Sequence, residues 1–187
     1  MNIYGIIIIF FALSLNSFSV AVMSSTYRCQ KLNELLKTSL SLGLFQGGMY
    51  AFGWVLALAF KNLLDPIARP FVIMVLILIG VKIVFISFRA KPADRAFDVS
   101  KIKVLIGVSI ASSINTFLIG ICFCLTRISL MPGLAIVAIF SFILAVVGII
   151  VGKYGGKLKY SLYSEFAGGA LIFIIGIVLL LQYLQLM

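Results

Sequence analysis

Long apolar runs separated by short polar gaps are the main pattern of this chain. A bilayer is crossed by a helix of about 20 apolar residues. Six such helices are predicted, at residues 4–25, 38–60, 68–89, 103–125, 132–152 and 165–186. The gaps contain helix breakers, among them Asp65-Pro66, Pro70 and Met131-Pro132-Gly133. The pattern therefore predicts an all-α integral membrane protein with six transmembrane helices.

The basic residues between the spans predict how the chain is oriented. Loops one, three and five hold eleven of them: Arg28, Lys31, Lys37, Arg89, Lys91, Arg95, Lys101, Lys103, Lys153, Lys157 and Lys159. The opposite side holds three: Lys61, Arg69 and Arg127. Because Lys and Arg accumulate in cytoplasmic loops, we expect loops one, three and five in the cytoplasm. Both termini then lie on the non-cytoplasmic side of a multi-pass protein of the inner or plasma membrane.

Composition narrows the class further. Hydrophobic residues make up 63% of the chain and charged residues only 11%, against about 25% charged in soluble domains. The net charge of +10 comes from loop residues that set orientation, so no nucleic-acid partner is expected. His is absent, and no acid–base pair or metal-binding cysteine pattern is seen, so we expect neither an enzyme nor a resident cofactor.

A duplicated motif divides the chain into halves. Ser14-Leu15-Asn16-Ser17-Phe18 recurs 99 residues later as Ser113-Ile114-Asn115-Thr116-Phe117, and the same offset carries Gly53 onto Gly152. In the third spans, Ile79-Gly80-Val81 is matched 96 residues later. We predict three-helix repeats at 1–89 and 103–187, joined by a cytoplasmic linker at 90–102. Since each repeat has an odd number of spans, the two enter the membrane in opposite senses, as in inverted-repeat transporters.

Amides near the middle of the spans are the candidate site. Asn16 and Asn115 lie close to mid-depth, and Gln46 is a third amide in the second span. Amide oxygens can bind a cation, and hydroxyls are expected to support them, giving a predicted substrate-binding set of Asn16, Gln46, Asn115, Ser14, Ser17, Ser113 and Thr116. The alternative is that the amides only hydrogen-bond between helices, which contributes on the order of 1 kcal/mol each.

Two charged residues stand apart from the loops. Lys82 lies inside the third span, seven residues from Arg89, so its ammonium group could extend along the helix to the cytoplasmic interface. A role in coupling is the alternative that we favour less. Glu165 begins the sixth span, where it could stabilise the helix terminus or serve as the carboxylate at which an ion enters.

The motifs as a set resemble those of the MntP-like manganese efflux pumps, small six-span members of the LysE-type exporter group. The likeness rests on Ser14 to Phe18, Ser113 to Phe117, Phe45-Gln46-x-x-Met49, Gly53-Trp54 and Glu165-x-x-Gly168-Gly169, and it covers essentially the whole chain. The resemblance implies the six-span fold and export of Mn²⁺ as substrate. It also implies Asp at two positions that here are Asn16 and Asn115.

The leading hypothesis is a cation exporter of the Mn²⁺ type, with Asn16, Asn115 and Gln46 as oxygen ligands near the midplane of the bilayer. One alternative is export of another small solute, neutral or zwitterionic, that amides bind without a carboxylate. The other is a non-transporting paralogue that acts as a membrane interaction protein. The sequence does not name the driving ion or the oligomeric state.

Overall fold

Seven α-helices and one 3₁₀ turn account for the residues that the computed structural model describes, which are 3–27, 32–89, 99, 101–155 and 159–185. The helices are α1 (Ile3–Tyr27), α2 (Leu32–Ala59), α3 (Lys61–Leu64), α4 (Ala68–Arg89), α5 (Ile102–Leu125), α6 (Leu130–Gly155) and α7 (Lys159–Gln185), with the 3₁₀ turn at Asp65–Ile67 between α3 and α4. Of the features discussed above, Arg28, Lys31, Lys91, Arg95, Lys157 and most of the 90–102 linker lie outside the described residues.

Six of these helices are long and apolar enough to cross a membrane. They coincide with the six predicted spans, so the predicted fold class is confirmed. The helices α2 and α7 begin six residues earlier than the predicted spans. The difference arises because an apolar run marks only the part of a helix that lies in hydrocarbon, whereas the helical backbone continues into the polar region.

The outer surfaces of the helices carry large apolar side chains. Leu44, Phe52 and Met74 are each at least 60% exposed. Apolar surface on this scale marks an interaction with lipid or another protein, and here it covers helices that are long enough to span a bilayer. We take it as the lipid-facing surface.

Helix packing pairs the two halves of the chain. The main contacts join α1 to α6, α2 to α5, α4 to α7, α2 to α6 and α1 to α7. In the α4–α7 pair, a Cβ on Gly80 would touch Phe173, and a Cβ on Gly176 would touch Ile77. Because residues 77 and 80 correspond to 173 and 176 at the offset of 96, the two contacts are reciprocal. Such reciprocity is compatible with the predicted inverted repeat.

The close contacts of α2 and α6 revise one predicted correspondence. A Cβ on Gly53 would overlap the carbonyl oxygen of Phe117, and a Cβ on Gly148 would approach that of Phe18. Since Phe18 and Phe117 match in the duplicated motif, Gly148 is the structural counterpart of Gly53, and Gly152 is not. Gly152 lies one helical turn further on, against Val22, so Gly148 and Gly152 both face α1.

Candidate functional site

The two motif asparagines lie on the inner faces of α1 and α5. Asn115 is 8% exposed, and Asn16 is partly buried. The amide nitrogen Nδ2 of Asn16 donates a hydrogen bond to the backbone oxygen of Ser112, at 2.7 Å. This bond joins the first helix of one half to the first helix of the other. It fits the interhelical role considered above and leaves Oδ1 of Asn16 without a hydrogen bond among the described residues.

Gln46 connects the two motif copies. Its Nε2 donates to the hydroxyl of Ser17, at 3.2 Å, and its Oε1 accepts a hydrogen bond from the hydroxyl of Thr116. Ser17 and Thr116 occupy equivalent positions of the motif, and all three side chains are fully buried. The structure therefore brings together the amide and the hydroxyls that sequence reasoning grouped. That they bind a substrate stays a prediction.

The remaining motif hydroxyls bond mainly to their own helices. Ser14 lies 2.8 Å from the Phe10 backbone oxygen and also 3.1 Å from the hydroxyl of Ser141 on α6. Ser113 donates to the Ser109 backbone oxygen at 2.7 Å. Such bonds satisfy a hydroxyl inside an apolar bundle. Among the predicted substrate-binding residues, these two serines are therefore less available to contact a substrate.

Ser141 is a member of the network that sequence reasoning missed. It is fully buried in the middle of α6 and occupies the position that corresponds to Gln46 when α2 and α6 are aligned on Gly53 and Gly148. The signal that could have found it is a lone hydroxyl between Phe140 and Phe142 in an otherwise apolar span. The motif copies in α1 and α5 are 99 residues apart, whereas α2 and α6 correspond at an offset of 95 residues. A search at an offset of 99 therefore does not pair Gln46 with Ser141.

Lys82 is exposed and has a hydrogen-bond partner on a neighbouring helix, which neither expectation for this residue included. Its Nζ donates to the amide oxygen Oδ1 of Asn115, at 3.1 Å. Sequence reasoning weighed Lys82 against the nearest membrane interface along α4. It had no means of knowing that α5 would place an amide oxygen within reach from the side.

Glu165 lies between α1 and α7, away from Gln46. It is 7% exposed, and its Oε1 accepts a hydrogen bond from the hydroxyl of Ser19 at 2.7 Å. The Ser19 hydroxyl also lies 2.6 Å from that of Ser161. These hydrogen bonds link the Glu165 carboxylate of α7 to α1.

An aromatic cluster packs one helical turn beyond Gln46, toward the ends of α2 and α5. The ring of Phe10 meets Tyr50 and Phe123 edge to face, at centroid distances of 5.5 and 5.1 Å. All three rings are fully buried, and the hydroxyl of Tyr50 has no hydrogen-bond partner among the described residues. The cluster makes this end of the amide network apolar.

A cavity of about 680 Å³ opens near the start of α4 and the ends of α5 and α7. Its polar lining includes Asp65, Arg69, Arg127 and Gln182. None of the predicted site residues lines it. The described part of the chain also contains no group of three His, Cys, Asp or Glu side chains that could hold a metal ion.

Comparison with known proteins identifies the family. Residues 29–180 match the Mntp family, which is described as "Putative manganese efflux pump". The chain belongs to this family. Relatives that carry the same description include one from Methanothermobacter thermautotrophicus, 28% identical over 97% of both chains. Another, from Methanobrevibacter smithii, is 30% identical over 97% of this chain and 98% of its own. No solved structure matches the chain.

Membership extends over nearly all of the described fold, since the match begins just before α2 and ends within α7. The relatives cover α1 as well. The network of Asn16, Gln46, Asn115 and Thr116 is thus part of a six-span Mntp-family membrane protein. In this chain both motif positions carry amides, and one of these amides contacts a lysine.

Proposed function

We propose that this protein exports a divalent cation of the Mn²⁺ type and carries out no catalysis. The observation that carries the proposal is the buried oxygen network in which Gln46 bonds to both copies of the motif. Mn²⁺ is a hard cation that favours oxygen ligands, and amide oxygens qualify. The names of the relatives, manganese efflux pumps that match over nearly the whole chain, support the same substrate.

The proposed ligands are the amide oxygens of Asn16, Gln46 and Asn115. The hydroxyls of Ser17 and Thr116 hold Gln46 in place, and Ser14 and Ser113 lie in the supporting layer of the two helices. Glu165 is proposed as a carboxylate on the path to the site. The ion is the substrate. It is held within the bilayer between two inverted halves, 1–89 and 103–187, and is then released on the outer side of the membrane.

The proposed orientation follows the basic residues. Loops one, three and five face the cytoplasm, and the termini face outward in the plasma or inner membrane. Export then runs from the ends marked by Lys103 and Lys153 toward the ends marked by Lys61 and Arg127.

A second candidate is export of a small zwitterionic solute. The observation that favours it is the ammonium group of Lys82 beside Asn115, with no acidic residue at either motif position. A carboxylate group of a solute would pair with Lys82, whereas a metal ion would be repelled.

The test is Mn²⁺ accumulation in cells of a manganese-sensitive host, with and without the protein. Cells that express it should accumulate less Mn²⁺, and Asn16→Leu and Asn115→Leu should each abolish this effect at unchanged abundance. Asn62→Leu is the matched control, because Asn62 is an exposed amide on α3. Loss of abundance together with activity would instead assign the motif amides to helix packing alone. Equal accumulation with and without a well-expressed native protein would contradict manganese export.

A further inference from the structure

Lys82 is an exposed residue of α4 whose ammonium group contacts an amide on α5. Its Cα is seven residues from Arg89, the end of α4, which is about 10 Å of helix rise. Asn115 is 13 residues from Ile102, the start of α5 at the same loop, which is about 20 Å. Measured along its own helix, Asn115 is therefore the farther of the two residues from the loop-three end.

This contact is unusual for a lysine in a membrane-spanning helix. A side chain of this length normally follows the helix to the interface, where water solvates the charge. Among the described residues, Lys82 has one hydrogen bond, from its Nζ to Oδ1 of Asn115. The oxygen of Asn115 is thus already shown to hold a positively charged group.

We propose that Lys82 is an internal competitor for the transported cation. In the empty protein its ammonium group occupies the cation position at Oδ1 of Asn115. A metal ion can use this oxygen only after Lys82 has withdrawn toward the loop-three end of α4. The inference rests on the proposed function, because it assumes that Asn115 is a ligand of the exported cation.

The asymmetry of the two asparagines supports this assignment. Asn16 uses its nitrogen, not its oxygen, in the bond to Ser112, and no lysine or arginine of the described residues is hydrogen-bonded to its Oδ1. Only one of the two equivalent oxygens is therefore blocked. Such an arrangement keeps affinity low and favours release of the ion, which an exporter needs at the end of each cycle.

The experiment measures Mn²⁺ binding to purified, detergent-solubilised full-length protein by titration calorimetry at fixed pH. Lys82→Met keeps the length of the side chain but removes the charge, and we expect it to bind Mn²⁺ at least about tenfold more tightly, since a like charge a few ångströms away is removed. Lys82→Arg keeps the charge and should bind like the native protein. Lys103→Met, which removes an exposed charge from the start of α5, is the matched control and should also bind like native.

Several outcomes would overturn the inference. If the native protein binds Mn²⁺ and Lys82→Met binds it equally or more weakly, Lys82 is no competitor, while manganese export stands. If the Lys82→Met protein is unstable, Lys82→Gln gives the same comparison. If native, Lys82→Met and the doubly substituted Asn16→Asp, Asn115→Asp protein all fail to bind Mn²⁺, the proposed function itself fails. Loss of small zwitterion transport in Lys82→Met would then assign Lys82 to that solute.

Discussion

Introducing carboxylates at the two motif positions should convert a weak Mn²⁺ site into a strong one. Asn16→Asp and Asn115→Asp each keep the size of the side chain and one oxygen acceptor but add a negative charge, and Asn16→Asp also removes the Nδ2 donor that bonds to the Ser112 backbone oxygen. At an effective dielectric constant of about 20, two unit charges about 4 Å apart interact by about 4 kcal/mol, and a dication doubles this value. Desolvation of each carboxylate offsets several kcal/mol. A net gain of at least about 1.4 kcal/mol, tenfold in Kd, is therefore expected for Asn16→Asp.

The two positions should not respond equally. A carboxylate introduced at position 115 would lie near Lys82, whose Nζ is 3.1 Å from the present amide oxygen. At that separation the ion pair gains about 5 kcal/mol at the same effective dielectric constant. Mn²⁺ would have to compete with this pair, so Asn115→Asp should improve affinity by less than about threefold while Lys82 is present. Combined with Lys82→Met, the same substitution should match or exceed Asn16→Asp.

Calorimetric Mn²⁺ titrations of the native protein, both single variants, the double variant and the Lys82→Met combinations provide the measurement. Manganese tolerance in a sensitive host gives a second readout. Asn62→Asp, an exposed position, controls for added charge outside the bundle. An equal gain from Asn16→Asp and Asn115→Asp with Lys82 retained would refute the pairing argument. No gain from any carboxylate, in proteins that fold normally, would mean that charge does not limit affinity at this site.

Two further predictions concern packing and orientation. Gly53→Ala should lower the melting temperature and the abundance of the protein, because a Cβ would overlap the Phe117 carbonyl oxygen. The control Gly48→Ala should change neither, because a Cβ there meets nothing within 4 Å. Equal melting temperatures of the two variants would contradict the close α2–α5 contact. In a cysteine-free background, Lys153→Cys should be labelled only from the cytoplasm and Arg127→Cys only from outside. Labelling of intact cells with a thiol reagent that crosses the membrane and with one that does not gives the measurement. The reverse pattern would invert the proposed topology.

The sequence predicted the spans and the grouping of Gln46 with Ser17 and Thr116 because both depend on regularities along the chain. A span is a run of apolar residues, and mid-depth can be counted from its ends. The grouping follows because polar side chains at one depth of a small bundle have few places to go except toward one another.

Lateral neighbours could not be predicted in the same way. The position of Lys82 on α4 gives its distance to the interface but not the fact that Asn115 lies within hydrogen-bonding distance on α5. Ser141 escaped notice because the repeat offset changes from 99 in the first spans to 95 in the second. A shift of four residues is about one helical turn, which keeps the same helix face toward its partner and so leaves packing intact while it hides the correspondence in sequence.

A network of uncharged groups links the helices at the level of the two motifs. Gln46, Ser17 and Thr116 join α2 to both α1 and α5 through uncharged groups, and the Asn16 bond to the Ser112 backbone needs only an amide nitrogen. Each such bond contributes about 1 kcal/mol or less in a membrane, independently of any bound ion. The links through Gln46 therefore do not depend on the charge at positions 16 and 115, whereas the link from Asn16 to Ser112 requires the amide. Affinity for a cation then depends on the balance between the motif side chains and Lys82, the charged group that contacts them.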